Sequence, residues 1–85
     1  MRMKRTHERP ERNAIGRRIR LARLKCVPSV SQDDLAARLA ARGVTLDQTA
    51  ISRIESQARY LMDYEIAAIA KSLKVSVGWL FGERD

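Results

Sequence analysis

The chain has one cysteine and one histidine in 85 residues, and only four aromatic side chains. A lone Cys26 cannot close an internal disulfide, so nothing points to an oxidising compartment. It reads instead as a small apolar packing residue. His7 lies near the N-terminus with nothing to make it a base for Cys26, and no second thiol accompanies that cysteine as a metal ligand. A glycine-rich phosphate loop is absent, and no carboxylate pair is set for acid–base work. Asp33 and Asp34 are neighbours on one helix, so they point apart and read as solvated first-turn acids. These absences argue against an enzyme, and no cofactor is expected.

Long apolar runs are missing too. The longest is Ile66 to Ala70, against about 20 residues for a membrane-spanning helix. Residues 1–10 are basic but no apolar segment follows them, which excludes a secretory signal and leads us to expect a cytoplasmic chain, nucleoid-associated when it is bound to DNA. The length allows one small domain, near the lower limit of independent stability.

What the sequence has is positive charge, unevenly placed. There are 17 Lys and Arg against 10 Asp and Glu, for a net +7. Residues 1–25 hold ten basic side chains against Glu8 and Glu11, a balance of +8, while residues 26–85 hold seven basic and eight acidic, a balance of −1. A one-sided excess of this kind suits a polyanion, either nucleic acid or an anionic membrane, or serves as a solubilising tail. As a membrane-surface helix, residues 1–25 would have few bulky apolar residues and no aromatic, which disfavours that partner. A non-specific nucleoid or RNA binder remains a rival on charge alone.

Residues 1–12 show no periodicity and contain Pro10, so they read as a flexible basic arm. From Asn13, a good N-cap, Ile15, Ile19, Ala22 and Cys26 recur at helical spacing until Pro28 and Ser29. Ser31 with Asp34 forms a capping-box pattern for a second helix, which has Leu35, Ala36 and Leu39 inward and Gly43 at its exit. A third helix spans about 48–55, with Ile51 and Ile54 inward and Asp47 or Thr45 as cap. Residues 56–62 read as a loop. Asp63 opens a fourth helix with Ile66, Ile69, Ala70 and Leu73 inward, and Ser76 opens a short fifth, Val77 to Phe81, stopped by Gly82. Period-two alternation is absent, so the expected class is all-α with five helices: a domain over 13–82 and a tail at 83–85.

The second and third helices, close in sequence, fit a helix-turn-helix. The outer face of the third carries Gln48, Thr49, Ser52 and Arg53, hydrogen-bonding side chains that suit base edges, with Gln matched to adenine and Arg to guanine. An ordinary amphipathic helix with a solvated polar face would look the same in isolation.

Four blocks in order narrow this. Ile15-Gly16-Arg17-Arg18-Ile19-Arg20 with Arg23, Ser31-Gln32-Asp33-Asp34-Leu35-Ala36, Ala50-Ile51-Ser52-Arg53-Ile54-Glu55, and Ile69-Ala70-Lys71-Ser72-Leu73-Lys74-Val75-Ser76 with Trp79-Leu80 together resemble the lambda-repressor-like, Cro-type (XRE) helix-turn-helix family. The resemblance covers residues 13–82. It implies a compact five-helix DNA-binding domain and a dimeric transcriptional repressor on an inverted repeat. It implies base reading by Gln48, Thr49, Ser52 and Arg53. Phosphate contacts would come from Gln32, with Ser31 beside it, and from Arg59 and Tyr60 in the loop after the recognition helix. Arg23 and Glu55 match a family ion pair that ties the first helix to the end of the third.

The chain departs from the common family spacing between its second and third helices, where Ala40 to Leu46 is about five residues longer than a tight turn. That implies a longer second helix or a wider turn. Extra residues also fall at Val27-Pro28. Asp47, if it caps the third helix, would repel phosphates unless it accepts a bond from a cytosine amine. Larger family members carry a separate oligomerisation or ligand domain. This chain ends at Asp85, so a homodimer is expected to form through the domain itself, by Val77, Trp79, Leu80 and Phe81. The alternative function is an antitoxin, whose partner would be a toxin protein.

Overall fold

A computed structural model describes residues 11–83. The protein is all-α, with α1 (Gly16–Lys25), α2 (Gln32–Ala41), α3 (Gln48–Glu55), α4 (Asp63–Leu73) and α5 (Val77–Leu80), and no strand among the described residues. Most of the basic arm and the last two residues of the tail lie outside the described residues.

The helix starts follow from their caps. Ser31 Oγ accepts the Asp34 N–H at 2.9 Å and the Asp34 carboxylate accepts the Ser31 N–H at 3.2 Å, which completes the capping box. Asp47, not Thr45, caps α3 by accepting the Ala50 N–H at 2.8 Å. Ser76 accepts from the Trp79 N–H at 2.9 Å. Asn13 works differently from the simple N-cap its position suggests. Helix α1 starts at Gly16, and Asn13 Oδ1 accepts from both Ile15 and Gly16 N–H, at 3.0 and 2.7 Å.

The ends of α2, α3, α4 and α5 share one device. After α2, the Gly43 N–H bonds Ala40 O and the Val44 N–H bonds Leu39 O, the paired pattern of a Schellman turn. The same pairs recur after α3 (Gln57 to Ile54, Ala58 to Arg53), α4 (Lys74 to Lys71, Val75 to Ala70) and α5 (Gly82 to Trp79, Glu83 to Gly78). Each turn needs one residue at positive φ: Gly43, Gln57, Lys74 and Gly82. Because α2 stops at Ala41, the extra residues before α3 form a wider turn and do not lengthen the helix. Val44 and Leu46 anchor that turn by burying their side chains in the core.

The core runs through all five helices, with Ile15, Ile19, Leu35, Leu39, Ile51, Ile54, Ile69 and Leu80 its largest fully buried side chains. Helix α2 packs against both α3 and α4, and α1 packs against the same two. The closest approach is at Gly16. A Cβ there would overlap the Ile54 carbonyl oxygen and sit 3.1 Å from the Glu55 carbonyl, so the start of α1 rests on the backbone at the end of α3. Backbone atoms inside a helix cannot step aside as a flexible side chain can. Gly16→Ala is therefore expected to lower stability by about 1–3 kcal/mol, measured as a reduced urea midpoint at unchanged slope. A midpoint equal to wild type would show that the two helices are not packed this closely.

Candidate nucleic-acid interface

Helix α3 is held from inside and open outside. Ile51, Ile54 and Glu55 are buried, while Gln48, Thr49, Ser52 and Arg53 are all exposed on the opposite side. Burial of the two isoleucines contributes about 1.5–3 kcal/mol each. Among the described residues the side chains of Thr49, Ser52 and Arg53 make no hydrogen bond, so they are available to a ligand.

The end of α3 is fixed by charge. Arg23 grips both oxygens of Glu55, Nε to Oε2 at 2.7 Å and Nη2 to Oε1 at 2.8 Å, with side-chain exposures of only 9% and 4%. Its third nitrogen, Nη1, donates to Val30 O at 2.9 Å. This is the bidentate geometry in which arginine outperforms lysine. The hydrogen bonds that Arg23 donates to Glu55, and then the negative charge of Glu55, raise the Arg23 pKa above its ordinary value against the opposing effect of burial. A raised folded-state pKa means the stabilisation is present below the unfolded value and lost only above it, so Arg23 stays charged across the whole working pH range.

The start of α3 is fixed through the same carboxylate. Gln32 Nε2 donates to Glu55 Oε1 at 3.0 Å, and Gln48 Nε2 donates to Gln32 Oε1 at 2.7 Å. The expected phosphate ligand Gln32 is thus a strut between the two ends of α3, with one amide N–H left over. Gln48 keeps its carbonyl oxygen and one N–H, the pair that a bidentate contact with adenine needs.

A second set of bonds ties the segment before α1 to the exit of α3. Asn13 Nδ2 donates to Ile54 O at 3.0 Å and Arg59 O at 2.9 Å, and Gln57 Nε2 returns a bond to Asn13 O at 3.1 Å. Arg17 Nε reaches Gln57 Oε1 at 3.2 Å, and the Arg12 guanidinium lies 5.2 Å from the Tyr60 ring centre. Sequence reasoning missed this clasp. Its only advance signal was an asparagine three residues before a helical start, a position that favours local side-chain bonding.

The other expected phosphate contacts are placed as follows. Ser31 is exposed, and its hydroxyl, although it accepts the cap bond, can still donate. Tyr60 is exposed. Arg59 is engaged with buried Glu65 at 3.2 Å and with Tyr60 O at 2.9 Å, which makes it a brace of the loop, and its side chain stays partly exposed. Charge along α3 is graded, with Asp47 at its start and Arg12, Arg17, Arg53 and Arg59 at or near its end.

The expected dimer contact needs one correction. Leu80 is 0% exposed and belongs to the core, so it is not available to a partner. Trp79 is half-buried, with the Arg18 guanidinium stacked 4.0 Å from its ring centre. Of the four, only Val77 on α5 and Phe81 directly after it, at 43% and 50%, are exposed. No helix among the described residues is long and apolar enough to cross a membrane.

Comparison of the chain with protein-family models, curated proteins and solved structures gave no match.

Removing one partner of the buried pair leaves a charge stranded. Arg23→Met is expected to cost about 3–5 kcal/mol, whereas adding Glu55→Leu to it should recover most of the loss. Urea denaturation at neutral pH separates these, and equal costs for the single and double variants would show the pair to be solvated.

Proposed function

We propose that this protein is a sequence-specific double-stranded DNA-binding transcriptional regulator, a repressor with a lambda-repressor-like helix-turn-helix domain that acts as a dimer on an inverted repeat. The observation that carries this reading is α3 itself. Its outward Thr49, Ser52 and Arg53 side chains are free, Gln48 keeps donor and acceptor capacity, and both of its ends are immobilised by the Arg23–Glu55–Gln32–Gln48 chain. Specific readout needs that combination, because a base contact discriminates only if the side chain arrives in one register.

In this reading α3 enters the major groove. Gln48 pairs with adenine, Arg53 with guanine, and Thr49 and Ser52 supply shorter contacts. The Ser31 hydroxyl, the spare amide N–H of Gln32, Tyr60 and the arginines around the end of α3 other than Arg53 contact phosphates, as does the basic arm. These contacts supply affinity and its salt dependence without sequence information. The acid at the start of α3 takes a cytosine amine or faces away from the backbone. A two-fold dimer joined near Val77 and Phe81 would set two copies of α3 about 34 Å apart, one turn of duplex.

Selection of bound sites from randomised duplex tests the reading directly. The expected result is a two-fold symmetric consensus, and recovery of unenriched sequence would overturn it. With that consensus in hand, Arg53→Ala should cost roughly 1–3 kcal/mol on the cognate site and little on random duplex. Equal losses on both would make Arg53 a phosphate contact only. Deletion of residues 2–12 should weaken both duplexes and flatten the dependence of log affinity on log salt by about one unit per lost phosphate contact. An unchanged slope would remove the arm from the interface.

A further inference from the structure

Four of the seven basic residues beyond Lys25 gather on a face distinct from α3. Two shallow surface hollows of about 470 and 380 Å³ lie side by side between the C-terminal part of α2 and α4, and Arg42 and Lys71 border both, so together they form a shallow groove. Arg38 and Lys74 complete a line of four cations along it, and no acidic residue among the described residues lines either cavity. Its apolar lining is Ala41, Val44, Ala67 and Ala68, with exposed Tyr64 on the rim.

The position is set by helical geometry. At 100° per residue, Arg38 lies about 120° round α2 from Gln32, with the buried Leu35 and Leu39 stripe between them. One flank of α2 therefore faces the α3 network and the other faces this groove.

The fold's own needs account for part of the charge. Arg38 Nη1 caps the end of α4 by donating to Ser72 O at 2.9 Å. The C-termini of α2 and α4 together present about one negative charge, against four cations. Arg42, Lys71 and Lys74 form no ion pair with a carboxylate among the described residues. Lys74 also holds the left-handed backbone position at φ 59°, which glycine adopts freely and lysine does not, and its side chain makes no bond there that would compensate. Gln57, the other non-glycine residue in such a position, is held by side-chain bonds.

We propose that the α2–α4 groove docks an acidic, amphipathic segment of a partner protein. Carboxylates would meet Arg38, Arg42, Lys71 and Lys74, while one apolar side face would meet Tyr64 and the alanine methyl groups. A duplex offers phosphates but no apolar side chain for the groove lining, whereas an amphipathic helix offers carboxylates and an apolar face together. The proposal does not rest on the DNA reading of α3.

The test uses the full chain, labelled with nitrogen-15, and a synthetic peptide of about 18 residues, roughly 27 Å as a helix, with Glu and Leu at helical spacing. Saturable binding is expected, with amide shifts at Arg42, Ala67, Ala68 and Lys71 and none at 48–53. Charge reversal of two exposed groove residues, Arg42→Glu with Lys71→Glu, should weaken the peptide by about tenfold or more. Thermal unfolding should stay cooperative, with only a small fall in midpoint from the lost cations at two helix ends. Binding of a 20-base-pair random duplex (about two turns) should weaken less than peptide binding does. If the variant unfolds early, Lys71→Gln alone serves, with a smaller loss in the same direction. Absence of saturable binding, peptide affinity indifferent to these substitutions, or groove shifts caused by the duplex would each overturn the proposal, the last in favour of a nucleic-acid surface.

Discussion

The buried pair of Arg23 and Glu55 is the constraint on which the rest of the arrangement depends. Four parts of the chain meet there: α1 through Arg23, the connection before α2 through Val30 O, the start of α2 through Gln32, and the end of α3 through Glu55. Two charges out of water are costly unless every donor and acceptor is matched. Here the guanidinium spends three nitrogens on three oxygens, and the carboxylate oxygen that meets Nη2 also meets Gln32. The near-complete matching leaves little freedom in where α3 ends relative to α1 and α2. A hydrophobic replacement could match the stability, but it would leave Gln32 without its acceptor and so free the other end of α3.

Helix α3 has only eight residues, too short to hold its shape without tertiary support. Its orientation comes from attachments at both ends. At the start, Gln48 leans on Gln32. At the exit, the Gly16 backbone contact, the two bonds from Asn13 Nδ2 and the Gln57 bonds lock the last turn and the following loop. Arginines that sequence position alone would count as equal do different work. Arg23 is internal, Arg59 pairs with buried Glu65 while staying partly exposed, Arg17 braces Gln57, Arg18 covers Trp79, and Arg53 remains open.

The features legible in the sequence were those set by local rules. The Ser31–Asp34 box, the Asp47 and Ser76 caps, Gly43 and Gly82 as stops, and the 3.6-residue stripes of Ile19, Leu35, Leu39 and Ile54 all act within one turn of the chain, so composition and spacing carry them. The choice between a longer α2 and a wider turn was not legible. It depends on Val44 and Leu46 finding core positions, which is a tertiary fact. Leu80 illustrates the same limit, because a four-residue helix has no full period to reveal which face is inside. The left-handed Gln57 and Lys74 were invisible for a related reason: the Schellman turn there is favoured by surrounding packing and not by residue type.

Charge shows most clearly how three-dimensional placement alters a one-dimensional count. By sequence, the +8 of residues 1–25 dominates and the remainder is near neutral. In the fold that remainder separates. Glu55 and Glu65 are consumed inside by Arg23 and Arg59, and Asp34 and Asp47 are engaged at helix starts. Arg38, Arg42, Lys71 and Lys74 are left together on the α2–α4 side. A segment with a net charge near zero thus presents a cationic face because its acids are turned to structural use. The two flanks of α2 then serve different ends, one ordering α3 through a neutral amide relay and the other carrying charge that the fold's own helix ends offset only in part.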